Sequence, residues 1–283
     1  MNVEVVSLKT TIIGFVAMTF FQLTGVGRIA TIGMSPLPTG HSETSESSRA
    51  ERLWELSIAA KGGRKALHGV RNLVVSARGE YPSRRLKKNQ ISQVALYVLP
   101  NKVWSWSDYR PDVFGLRIQM YNYDDNTKYV VTDGEPNRQL ESITEGDKKD
   151  GDLLWALLPY LPETKWSKPV LVQAKAGKVG QRSVDIVQTT VKGARVDFAL
   201  DRKTHLPIRV SYYSTDRNKT YVTDVDLSDY VEIDGIRVPQ TVKYKDGTQD
   251  KKSYQFNVEY KEDIFTQPPH IDAGPEAWKV VKP

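Results

Sequence analysis

Apolar and polar residues alternate with period two over much of this chain. Leu73, Val75 and Ala77 alternate with Ser76, Arg78 and Glu80, and Leu116, Ile118 and Met120 with Arg117 and Gln119. Val196, Phe198 and Leu200 follow, then Ile208, Val210 and Tyr212, and then Tyr254, Phe256, Val258 and Tyr260. Side chains two apart in a strand point the same way, so each run predicts a strand with one apolar face. Asp133-Gly134, Lys192-Gly193, Asp234-Gly235 and Asp246-Gly247 separate the runs and supply hairpin chemistry. One-sided alternation implies antiparallel strands with one wet face, and so many in succession imply a large, curved meander. No 20–50-residue period marks a solenoid or propeller.

The segment Val94–Trp106 reads VALYVLPNKVWSW. One strand ends at Leu99, Pro100-Asn101 breaks it, and the next places Trp104 and Trp106 on one face. Two neighbouring indoles need a large apolar partner, either the protein's own core or an acyl ligand in a concave sheet.

Two segments break the strand pattern. A helix is predicted from about Arg49, with Leu53, Leu56 and Ala60 at helical spacing and Trp54 and Ile58 widening the stripe. Gly62-Gly63 interrupts it, and a short turn carries Ala66-Leu67 to Gly69. Asp152–Pro162, DLLWALLPYLP, is helical in propensity and apolar on nearly every side. Such a helix either completes a core or covers an apolar cavity as a lid.

Near the start, Lys9 precedes the apolar run Ile12–Phe21 and the small residues Gly25, Gly27 and Ala30. Residues 1–30 therefore read as a signal peptide or N-terminal anchor, the run being shorter than the roughly 20 residues of a spanning helix. Residues 31–48 read as a polar linker and 49–283 as one domain, since β-rich domains often reach 200–250 residues. The 40 basic and 34 acidic residues are interleaved, so the net charge of +6 forms no nucleic-acid footprint. The densest basic run, Arg84–Lys88, reads as a solvated hairpin tip.

Catalytic motifs are missing. With no cysteine there is no disulfide framework, thiol nucleophile or lipidation site of a bacterial lipoprotein. Neither a nucleophile elbow nor a phosphate or dinucleotide loop occurs. His41, His68, His205 and His270 lack metal-ligand spacing. No cofactor or metal is expected.

Four stretches carry a resemblance to the LolA/LolB lipoprotein-carrier superfamily. They are the strand–Pro-Asn–strand at Val94–Trp106, Tyr129–Gly134 closing on Asp-Gly, Leu200–Pro207 (LDRKTHLP), and Asp263–Pro269 (DIFTQPP). The match covers roughly residues 50–270. It implies a mainly β (α+β) fold, a curved antiparallel sheet forming an unclosed half-barrel with helices covering the concave face. The implied function is non-catalytic carriage of lipoproteins or lipids in the periplasm, acyl chains lying in an apolar trough under a helical lid. Tyr97, Trp104, Trp106, Leu154, Trp155 and Leu158 are the candidate lining residues, chosen by facing and apolarity. Implied partners are lipoprotein acyl chains or lipid and a membrane-bound donor or acceptor protein; nucleic acid is excluded and a monomer expected. Leu99 stands where the carriers place a basic residue that latches the lid, so the latch is absent or built from another group such as Arg117. Two other readings use the same fold: an envelope sensor or structural protein, and an enzyme acting on envelope glycans or lipids.

Overall fold

A computed structural model of the chain describes residues 43–81, 89–112, 115–133, 141–143, 156–216 and 219–281. Helices α1 (Glu43–Ala60) and α2 (Arg64–His68) come first. Strands β1 (Asn72–Tyr81), β2 (Asn89–Val98), β3 (Lys102–Asp108), β4 (Leu116–Asn122), β5 (Thr127–Thr132) and β6 (Glu141–Ser142) follow. After the connection through residue 169 come β7 (Val170–Val179), β8 (Arg182–Val191), β9 (Ala194–Asp201), β10 (Pro207–Asp216), β11 (Lys219–Ile233), β12 (Ile236–Tyr244) and β13 (Gln249–Phe256). A 3-10 turn at Glu262–Phe265 opens the C-terminal segment. The helix predicted from Arg49 begins at Glu43, inside the stretch read as linker, and Gly62-Gly63 separates it from α2 as expected.

The strands form one 13-stranded antiparallel sheet in the order β6-β5-β4-β3-β2-β1-β13-β12-β11-β10-β9-β8-β7. Two meanders are joined at the centre, where β1 pairs with β13. The sheet does not close, because β6 and β7 lie at its opposite edges. This is the unclosed, LolA-like half-barrel that the motifs predict.

Turn chemistry agrees with the sequence. Lys192-Gly193 and Asp234-Gly235 both have two positive φ angles (47° and 83°; 51° and 77°), which suit the tight turns between twisted strands. In the LDRKTHLP stretch the Asp201 carboxylate accepts from the backbone N–H groups of Thr204 (2.9 Å) and Lys203 (3.0 Å). These bonds hold its pKa below the usual carboxylate value and bend β9 into β10.

Cross-strand register assigns every residue of β1–β5 to a face. Leu73, Tyr97, Val103 and Tyr121 stand opposite one another across four strands. Their chain neighbours Val74, Leu96, Trp104 and Met120, continued by Tyr129, form a second ladder on the other face. The first ladder joins the main core with α1 and residues 157–161. The second joins a separate cluster closed by Phe265 and Trp278 of the C-terminal segment. The sequence predicted one wet face, but along these two ladders both faces are buried, one under α1 and residues 157–161 and the other under the C-terminal segment.

The strand predicted to run through Tyr260 ends at Phe256. Asn257 takes a φ of 51° and its side-chain oxygen accepts from Arg71 N–H (2.8 Å). Asn72 Oδ1 accepts from Val258 N–H (2.8 Å). The reversal carries the chain around the sheet, so Phe256 packs on the helix-covered face whereas Val258 and Tyr260 pack on the opposite one.

Candidate ligand-binding trough

The concave face is apolar along β8 to β12, where Val187, Phe198, Val210, Val225, Val238 and Val242 form its floor. Helix α1 lies over this floor. Ala50, Leu53, Trp54 and Ile58 are buried while Glu51, Arg52 and Glu55 face water, the pattern of a one-sided helix. The Trp54 indole meets the Phe198 ring edge-on with centroids 5.1 Å apart. The first half of α1 is tied to β8 by an ion pair from Arg49 to Asp185 (2.7 Å). The far end docks on the β11–β12 turn, where the carbonyl of Lys61 accepts from Arg237 N–H (2.9 Å). A Cβ on Gly62 would lie 2.0 Å from the Gly235 carbonyl oxygen, so only glycine permits this approach.

The second part of the roof is residues 156–167. Leu157, Leu158, Tyr160 and Leu161 are buried in the main core, and Tyr160 packs on Tyr254 of the central strand β13 (5.4 Å). Among the described residues one carboxylate adds polar ties from this strap to both helices. Glu163, 1% exposed, accepts from Trp54 Nε1 of α1 (3.0 Å) and from Arg64 Nε of α2 (2.7 Å), and its oxygen lies 3.0 Å from His68 Nε2. Arg64 also bridges back to Glu55 of α1 (2.8 Å). Burial works to raise the Glu163 pKa, but bonds from Arg64, Trp54 and His68 outweigh it and hold the carboxylate below its usual range. Among the described residues Glu163 fastens this part of the roof, and Leu99 is buried in the core.

A lowered folded pKa contributes stability above the unfolded carboxylate value of about 4.3, and that contribution is lost as the pH falls through the folded value. Glu163→Gln is expected to lower stability by about 1–3 kcal/mol at pH 7. The gap from wild type should narrow in urea melts near pH 3. A constant gap at both pH values would show that the charge is not what holds the strap.

A second charged group lies beneath the strap. Lys252 and Asp250, 0% and 2% exposed, form an ion pair of 2.9 Å on the concave side of β13. The Lys252 ammonium sits 5.8 Å from the Tyr160 ring and 5.9 Å from that of Tyr244. Burial pulls its pKa down to about 8, against the opposing pull of Asp250. The phenols of Tyr160 and Tyr244 are pushed upward by the same burial.

The sequence-predicted lining residues separate. Tyr97 and Leu158 lie in the main core on the concave side. Trp104 and Trp106 do not; Leu96 pairs with Trp104 and Tyr97 with Val103, so the indoles point to the opposite face. There Trp104 is buried against the cluster of Phe265 and Trp278, with the half-buried Trp106 packed beside it. The indoles' apolar partner is the C-terminal segment, which adjacent strand positions alone could not reveal. Leu154, Trp155, the leader and the Arg84–Lys88 run lie outside the described residues. Glu163, Lys61 and the Lys252–Asp250 pair escaped the sequence reading. Only the pair had a signal, since 250 and 252 share strand parity with the apolar Tyr254 and Phe256.

Chemistry other than burial is sparse. Among the described residues no group of His, Asp and Glu side chains is placed to hold a metal. His68 serves Glu163, His205 sits in a turn at φ 57°, and His270 lies beside Asp272 at the surface.

No protein-family model matches the chain, and no curated protein matches it. Solved structures do. The chain is similar to a DUF1329 family protein from Desulfovibrio piger, at a TM-score of 0.50 and 14% identity over 76% of this chain and 96% of that one. It is also similar to a putative outer membrane lipoprotein-sorting protein domain from Vibrio parahaemolyticus (TM-score 0.46, 14% identity, 76% and 97% covered). A LolA superfamily protein from Nitrosomonas europaea gives 0.48 and 12% identity over 77% and 97%. At such identities the likeness concerns the fold. The chain has a LolA-like fold, the class of half-barrel proteins that the sequence motifs resembled.

Proposed function

We propose that this protein is a non-catalytic carrier of lipids or lipoproteins in the periplasm, holding acyl chains between the concave sheet face and the roof of α1 and strap. One observation carries the reading. The apolar floor is covered by two separate pieces of chain, and among the described residues the carboxylate of Glu163 joins the strap to both helices. Non-directional burial of about 0.8 kcal/mol per CH₂ suits cargo that has to be released again, because apolar contacts between roof and floor can be exchanged for contacts with an acyl chain without breaking the sheet. The basic residue and apolar run near the N-terminus support export. The four ordered motifs that resemble the lipoprotein-carrier superfamily support envelope carriage, with a membrane-bound donor or acceptor as the partner. Tyr97, Leu158, Trp54 and Phe198 are the proposed acyl contacts.

A fluorescent fatty acid titrated into delipidated protein tests the reading. Saturable binding at micromolar concentration, about −8 kcal/mol, is expected, with a change in emission from Trp54. A delipidated protein that binds neither the probe nor unlabelled fatty acid has a filled core in place of a trough.

A further inference from the structure

We propose that Lys61 and Ser57 form a headgroup site at the end of the trough, where they hold the carboxylate of a single-chain fatty acid whose tail lies along the concave floor. The inference rests on the carrier reading and adds to it the chemistry of the ligand's head.

Both residues are completely buried, and their Nζ and Oγ atoms have no hydrogen-bond partner among the described residues. They lie one turn apart, with Lys61 N–H donating to the Ser57 carbonyl (3.0 Å), so their side chains share a face of the helix end. That face is the covered one, since Trp54 and Ile58 of the same stripe belong to the main core. The ammonium lies 5.2 Å from the centre of the Tyr230 ring. This ring is a weak partner for a cation, and its own hydroxyl is engaged with the Pro207 carbonyl (2.6 Å).

The orientation is informative. Lysine at a helix end normally extends its four-carbon stem to water, and the next residue, Gly62, is exposed. The Lys61 backbone is pinned by Arg237 and by the Gly62–Gly235 approach, yet the side chain turns inward. A buried cation without a counter-charge is costly, and burial alone draws its pKa down to about 7. Ser57 adds a second unused donor beside it. A carboxylate has two oxygens, one for each donor, and it would bring the missing charge. An alcohol or ester head would satisfy the hydroxyl but leave the cation alone.

The test uses the delipidated full chain and isothermal titration with laurate, lauryl alcohol and acetate. Laurate is expected to bind about ten-fold or more tightly than the alcohol, and acetate not to bind measurably. Lys61→Met should abolish the preference for laurate while keeping the affinity for the alcohol, and should melt no lower than wild type because it removes an uncompensated charge. Lys61→Gln makes the same comparison if the methionine variant misfolds, and Ser57→Ala should weaken laurate alone. Equal affinity for laurate and alcohol in wild type, or a preference that survives Lys61→Met, would overturn the headgroup site and leave the carrier reading standing. Acetate binding as tightly as laurate would overturn it by showing a site for free anions. Failure of both amphiphiles to bind wild type would remove the carrier reading and the headgroup site together.

Discussion

Trp104→Ala is expected to lower the free energy of unfolding by about 3–5 kcal/mol while leaving the acyl affinity of the folded protein unchanged. Trp104 is completely buried, with Leu96 and Met120 beside it on neighbouring strands and Phe265 and Trp278 in the same cluster. Truncation opens a cavity that close-packed neighbours fill only in part. The loss is a large share of the roughly 5–15 kcal/mol that holds a domain together. The cavity lies on the face away from α1 and the strap, so it should not reach the proposed trough. Urea denaturation paired with a fatty-acid titration on the same variant reads both quantities. Weakened binding in the folded fraction would place Trp104 in the ligand's path and revive the trough predicted from sequence.

Trp54→Ala should cost at least as much and should also disturb the proposed trough. The side chain is completely buried, sits edge-on to Phe198, and donates to Glu163. Its loss combines a core cavity of about 3–5 kcal/mol with an aromatic pair worth about 0.5–1.5 kcal/mol more. It also removes one of the three partners that fasten the strap. Trp54→Phe separates these effects, because the ring largely remains and only the indole N–H is lost. Its expected cost is about 1–3 kcal/mol, with Glu163 left short of a donor. Acyl binding should change in the alanine variant far more than after Trp104→Ala. A loss below 1 kcal/mol in Trp54→Ala would mean that α1 rests on the sheet without being anchored there.

The two tryptophans show why facing was easier to read than partnership. Alternation in Val94–Trp106 correctly put Trp104 and Trp106 on one face, because the strand period is a local property of the backbone. The register also puts Tyr97 on the opposite face, as neighbouring strand positions require. Which face the helices would cover was not a local property. It follows from β1 pairing with β13, from the turn at Asn257, and from the C-terminal segment returning along the face of Trp104.

The sequence by itself determined the elements whose causes lie within a few residues. The alternating strands, the Gly-containing turns, the interruption of the first helix at Gly62-Gly63 and the ordered motifs were enough for a LolA-like half-barrel. The N-terminal boundary of α1 was misplaced by six residues, because Glu43–Ser48 is polar and carries no apolar stripe. Only the tertiary structure decided the functional geometry. Glu163 meets Trp54 across 109 positions and Arg64 across 99, and polar residues at such separations leave no periodic trace. Lys61 reads in sequence as an ordinary helix-end cation, whereas in the fold it is buried beside Tyr230 of β11, with no hydrogen-bond partner among the described residues, where Gly62 docks on Gly235. Period and turn chemistry act through adjacent backbone, whereas burial and pairing depend on which distant surface arrives to exclude water.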